Sequence, residues 1–388
     1  MRRVAYGFVG LALLVGCSGG NPGANHLPPK VSPLDRPPPP PSPVFQPGYH
    51  AALRWSVEVP QRMTFRTRIP LGRAGERLRL TFRAGDGPAK VHAVTVASAD
   101  RTTGGWVALS PVPATFGGLQ GFSASPRERV TSDALPFAVA FRQEVWVSFE
   151  AEGFLATGEN ELFPGSVVLP GQHAGDTAIA GDPQERAVGL ATIDVEGEPT
   201  RGFVAIGDSI TEAFVYPAQH PYLQSWPALV EEGLRLPVAN AAVSGTGIEE
   251  ARDALGQEVF PLAGITDCLV MIGTNNLWDH DVQAMSAAYL ELYRALEPFC
   301  TVWAGTLPPK DAPWVSPQVQ ARRLATNEWL RHDAPVAHLI DFEAVLRSAD
   351  DPNEWLPGFT RDGVHPVVPG QQAMAEEALH VIRRALYP

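Results

Sequence analysis

The most constraining feature of this chain is the stretch Phe203-Val204-Ala205-Ile206-Gly207-Asp208-Ser209-Ile210-Thr211-Glu212, in which an apolar run meets a glycine and passes into polar residues. Bounded by Gly202 and Gly207, the run reads as a strand buried on both faces, as in a parallel sheet covered by helices. The glycine ends the strand and exposes Ser209 where a helix begins. A serine there carries its hydroxyl at the C-terminal edge of the sheet, and its N–H joins the unpaired donors of the helix start. Because an isolated Gly-Asp-Ser triplet is more often a helix cap than a nucleophile, the role of Ser209 depends on what else reaches that edge.

After Ser209 the pattern alternates. A helix is predicted around Ser225 to Leu236, then a short strand from Pro237 that dissolves into a glycine loop, Val243-Ser244-Gly245-Thr246-Gly247. A strand at Cys268 to Ile272 stops at Gly273-Thr274-Asn275-Asn276. Helices at about 282–296 and 319–331 alternate with strands at 300–306 and 336–342, and a last helix spans about 371–387. Such alternation implies a parallel sheet with helices on both faces, whose active sites lie beyond the strand C-termini. Ser209, Gly245 and Asn275 all fall there. Before the last helix stands Arg361-Asp362-Gly363-Val364-His365-Pro366. A carboxylate three residues before an imidazole, with a glycine to allow a tight turn, can hold Nδ1 and leave Nε2 free to face a nucleophile.

Gly207-Asp208-Ser209-Ile210, Asn240 through Gly245, Gly273-Thr274-Asn275-Asn276 and Asp362-Gly363-Val364-His365, in this order, resemble the four blocks of the SGNH hydrolases, the GDSL esterase and lipase family. The resemblance covers about Gly202 to Pro388. It implies an α/β, flavodoxin-like SGNH fold, with Ser209 as nucleophile, His365 as general base and Asp362 orienting the imidazole. It also implies an oxyanion hole built from the Ser209 and Gly245 N–H groups and the Asn275 amide, with no metal and no cofactor. Ile210 replaces the usual leucine, Asn276 the common aspartate and Ala213 a frequent glycine. Asn276 removes a negative charge beside the oxyanion hole, and Ala213 narrows the room beside the nucleophile. Gly-x-Ser-x-Gly chemistry is excluded by Thr211. His280 and Asp281 lack helical His-x-x-x-His spacing and read as rim loop, with Trp278 and Asp279 as candidates for substrate contact.

Between about Tyr49 and Glu198 the residues alternate as in strands, for example Met63, Phe65, Thr67 and Ile69, or Val145, Val147 and Phe149, with glycine and proline at the intervals. An antiparallel sandwich or jelly-roll domain over 49–198 is expected before a hydrolase domain over 199–388. The stretches Ala114 to Gly118 and Val130 to Asp133 also resemble the β domain of certain exported bacterial family members. Trp55, Trp106 and Trp146 are read as core rather than as sugar platforms.

Arg2 and Arg3 followed by apolar Val4 to Val15 read as an export signal over 1–16, too short to span a membrane. Leu14-Val15-Gly16-Cys17 resembles a lipoprotein lipobox, which implies lipid on Cys17 and a site in the bacterial cell envelope, at the outer membrane if the host is Gram-negative. Residues 17–48, with Pro37 to Pro41 unbroken, read as an extended polyproline stalk. Lys plus Arg number 30 against 42 Asp plus Glu, and a net charge of -12 argues against nucleic acid as a partner. Cys268 and Cys300 open two predicted neighbouring strands, so either a disulfide or two buried thiols fits. The reading is a serine esterase, with O-acetyl groups of a polysaccharide as leading substrate and short-chain lipid or small esters as alternative. A non-catalytic glycan-binding surface protein is the competing class.

Overall fold

The computed structural model describes residues 42–102, 105–161, 165–184, 186–212 and 221–387. The stretch read as an export signal, Cys17 and Ala213 lie outside them, as does the polyproline run.

The first half is antiparallel. Strands β1 (Val44–His50), β2 (Trp55–Pro70), β3 (Gly75–Thr102), β4 (Glu144–Glu161) and β5 (Leu190–Gly197) lie in the order β1-β5-β3-β4-β2. Register breaks between Ala84 and Ala89 bend β3, so that its first part pairs with β5 and its second with residues 105–113. The long strands thus fold over one core. Phe65, Phe82 and Phe149 form its centre, with Phe149 stacked 5.0 Å from Phe65 and edge-on 5.1 Å from Phe82. Each such ring contributes about 1.5–3 kcal/mol by burial. Strand β1 begins inside the stretch read as stalk: paired residue by residue with β5, it has a ladder to satisfy its backbone, which composition alone does not reveal. Trp146 is buried and donates from Nε1 to the Val107 carbonyl, whereas Trp55, read as core, is 42% exposed.

The second half is the expected α/β sheet. β6 (Phe203–Gly207), α1 (Ser209–Glu212), α2 (Trp226–Leu234), β7 (Val238–Asn240), α3 (Ile248–Glu258), β8 (Asp267–Met271), α4 (Val282–Leu296), β9 (Thr301–Gly305), α5 (Pro317–His332), β10 (His338–Ile340), α6 (Phe342–Leu346) and α7 (Val368–Leu386) follow in order. The strands are parallel in the order β7-β6-β8-β9-β10. Alternation along β6 explains its unbroken hydrophobicity. Val204 and Ile206 pack with α3, α4 and α5, while Phe203 and Ala205 pack with α2, α6 and α7. Helix α3 is absent from the sequence reading because its inward face is only Ile248, Ala251, Leu255 and Glu258, a weak stripe in a charged segment.

Cys268 in β8 and Cys300 just before β9 form a disulfide, with Cα atoms 5.8 Å apart. Cys268 is in register with Val302, not with Cys300, and this two-residue stagger lets the sulfurs meet across parallel strands.

Both halves belong to one compact unit, Pro41–Pro388. Just after β1, Ala51 makes a parallel bridge to Asn240 on the free edge of β7. Ala51, Ala52 and Leu53 are fully buried there.

Candidate active site

Ser209, Gly245, Asn275 and the Asp362–His365 turn converge beyond the C-terminal ends of β6, β7 and β8. Ser209 Oγ lies 2.9 Å from His365 Nε2, and His365 Nδ1 lies 2.7 Å from Asp362 Oδ2. The turn is set by its own backbone, for Asp362 Oδ1 accepts the N–H groups of Val364 (2.9 Å) and His365 (2.8 Å). Gly363 makes this turn possible: its φ is +76°, and a Cβ there would stand 2.3 Å from the Ala312 nitrogen. Partial burial pushes the Asp362 carboxyl up, but the hydrogen bonds from His365 and the turn outweigh it and hold the group below the ordinary carboxylate range. Asp362 therefore stays ionised against the imidazole.

Asp208 is fully buried. Its Oδ1 accepts the Ile210 N–H at 3.0 Å, and burial pushes its carboxyl up to about 6. It shapes the turn into α1.

The loop after β7 is tied to the serine turn at several points. Val243 N donates to Gly207 O at 3.1 Å, and Asn240 Nδ2 donates to Thr211 O at 2.9 Å while its Oδ1 accepts from Ala242 N at 3.1 Å. Buried Glu212 accepts the Ser244 N–H. Gly245, at φ +75°, turns the chain next. Asn275 Nδ2 donates to Thr246 O at 2.9 Å, which joins the third block to the second and leaves the other amide hydrogen for a ligand.

Asn276 is tied to the start of α3. Its Oδ1 accepts from Ile248 N (2.9 Å) and its Nδ2 donates to Glu249 Oε2 (2.7 Å). The carboxylate comes from Glu249, which also pairs with His280 Nε2 at 2.8 Å, so an amide at 276 is the complementary choice. Asp281 caps α4 by accepting from Ala284 N.

Trp278 is 38% exposed and stacked 5.4 Å from Trp314, which is 62% exposed. Asp279 is exposed beside it. Sequence reasoning missed Trp314 and also Lys310, whose ammonium lies 5.6 Å from the Trp278 ring centre. Burial pulls Lys310 down to about 8 against the opposing attraction of Asp208. Both residues follow the C-terminal end of β9, so the placement rule that flagged Asn275 applies to them as well.

The model of the GDSL-like Lipase/Acylhydrolase family matches residues 205–373. Among solved structures, a G-D-S-L family protein from Desulfitobacterium hafniense DCB-2 is 20% identical over 47% of this chain and 99% of that chain, with a TM-score of 0.40. The psychrotrophic esterase EstA from Pseudoalteromonas sp. is 18% identical over 49% of this chain and 100% of its own, with a TM-score of 0.39. A family two carbohydrate esterase from Clostridium thermocellum, solved with cellohexaose, is 15% identical over 87% of this chain and 94% of that chain, with a TM-score of 0.39. No curated protein sequence matches the chain.

Proposed function

We propose that this chain, whose residues 205–373 match the model of the GDSL-like Lipase/Acylhydrolase family, is a serine esterase that cleaves carboxylic esters through an acyl-enzyme. The observation that carries the reading is the unbroken chain Ser209 Oγ–His365 Nε2, His365 Nδ1–Asp362 Oδ2. A serine hydroxyl is a weak nucleophile until a base takes its proton. As Oγ bonds to the carbonyl carbon, its proton passes to Nε2 and the imidazolium is stabilised by Asp362. The carbonyl oxygen becomes an oxyanion facing the Ser209 and Gly245 N–H groups and the Asn275 amide, donors each worth about 3 kcal/mol in such sites. His365 then gives the proton to the departing alcohol, leaving Ser209 acylated. Water, deprotonated by the same imidazole, releases the acid.

For the substrate, we favour O-acetyl groups of a polysaccharide over short-chain lipid or small esters. The support is the exposed Trp278–Trp314 pair, since flat, partly wet indole faces suit the apolar face of a sugar ring. Anchoring in the cell envelope through lipid on Cys17 is proposed on the sequence pattern around that cysteine. Labelling with radioactive palmitate checks it, and an unlabelled product removes it.

The test is an ester panel, nitrophenyl esters of rising chain length beside acetylated glycans, run on wild type and Ser209→Ala. Turnover and fluorophosphonate labelling are expected in the wild type alone, with equal far-UV circular dichroism. A Ser209→Ala protein that still turns over overturns the assignment, and preference for long acyl chains overturns the glycan version. An unreactive wild type that binds glycan favours the non-catalytic class.

A further inference from the structure

The oxyanion loop is held from the other half of the protein. Arg54, four residues beyond β1, donates from Nη1 to Thr246 Oγ1 at 3.0 Å. Thr246 is buried, and its own carbonyl is the acceptor that orients Asn275 Nδ2 at 2.9 Å. Thr246 N in turn donates to Val243 O at 3.2 Å, which closes the turn that carries Gly245. One residue thereby connects two of the three oxyanion donors to a guanidinium from the antiparallel half.

A small cavity bordered by Arg54, Gly207, Val243, Thr246 and Ala254 lies behind the loop, and the Arg54 guanidinium reaches Thr246 beside it. The arginine is itself well anchored, because the residues before it are clamped. Ala51 is bridged to Asn240, its N–H donates to Ala191 O at 2.9 Å, and Ala51 to Leu53 are fully buried. The far end of α3, which follows the loop, is gripped by the same half: Arg83 pairs with Glu258, and Arg129 Nη1 donates to Gln257 O at 2.7 Å.

We infer that Arg54 is a positioning residue of the oxyanion hole, acting through Thr246 on Gly245 and Asn275. The inference rests on the esterase reading above. An oxyanion exists in the transition state and hardly in the ground state, so a displaced donor lowers kcat and leaves KM in place. Losing one donor outright costs about 10²–10³-fold in kcat, and a small misplacement costs less.

The test compares wild type, Arg54→Met, Thr246→Val and the double variant, in the full chain, on nitrophenyl acetate. End-point labelling by a fluorophosphonate counts reactive sites, so that kcat per labelled site excludes molecules lost to misfolding. Each single variant is expected to lose about tenfold in kcat per labelled site with KM within about twofold, and the double variant to be no worse than the weaker single. Unchanged kcat in both singles overturns the inference. So does a rise in KM at constant kcat, which marks Arg54 as a substrate contact, or a double-variant loss equal to the product of the singles. A wild type that neither turns over nor labels refutes instead the esterase reading beneath it.

Discussion

Replacing Cys268 and Cys300 together by alanine opens a loop whose ends are 32 residues apart in sequence. In the chain-entropy account, a cross-link of that span removes about 12 cal/mol/K from the unfolded ensemble, or about 3.7 kcal/mol at 25 °C. Native packing changes little, since a buried cysteine behaves as a small hydrophobe. Spread over the unfolding entropy of a unit the length of Pro41–Pro388, this loss lowers Tm by about 5 °C. Turnover is expected to stay at the wild-type level. The bond sits where β8 and β9 begin, whereas Ser209, Gly245 and Asn275 follow the opposite ends of the strands. Urea unfolding followed by tryptophan fluorescence measures the first quantity, and initial rates on nitrophenyl acetate well below the transition measure the second. An unchanged midpoint, or wild-type Cys268 and Cys300 that both alkylate without reductant, refutes the stability reasoning. A tenfold fall in kcat refutes the claim that the two edges of the sheet are independent.

Asp362→Asn is expected to keep the turn through Oδ1 but present an N–H to the imidazole, favouring the wrong tautomer; kcat drops by about 10⁴ with little change in KM, as steady-state kinetics will show. Asp208 provides a pH test. With its folded pKa raised to about 6 by burial, the folded chain holds a proton that the unfolded chain has lost between roughly pH 4 and pH 6, so stability falls as pH rises through that window. Asp208→Asn removes this slope and gains stability relative to wild type, on the order of 3 kcal/mol, at pH 8 compared with pH 4; parallel urea curves at both pH values check it. Asn276→Asp places a second carboxylate against Glu249 and deletes the donor between them, at an expected cost of about 1–3 kcal/mol, and Glu249→Gln in the same chain recovers most of it.

The α/β half was legible because its physics is local and repetitive. A strand buried on both faces must be apolar throughout, as Phe203 to Ile206 is, and a parallel sheet delivers every strand end to one edge. Ser209, Gly245 and Asn275 were located by that rule, and Asp362 by its three-residue distance from His365. Contacts between distant segments left no such trace. Nothing at Arg54 announces Thr246, and Glu249 bears no pattern that ties it to Asn276. Strand β1 was hidden for a related reason: Val44 to Gly48 follows Pro43, contains Pro47 and carries no strand pattern until β5 lies beside it. The Cys268–Cys300 bond turned on a two-residue stagger that no spacing rule discloses.

The rung that Ala51 lends to Asn240 also governs how this protein can be taken apart. Strand β7 is the outermost strand of the parallel sheet, and Ala51 pairs with the end of it. A recombinant fragment starting near residue 199 loses that rung and leaves the end of β7 open for a neighbouring molecule to add a strand. A graft of the α/β half onto another carrier therefore keeps this end paired by bringing residues 44–54 with it, as a splint.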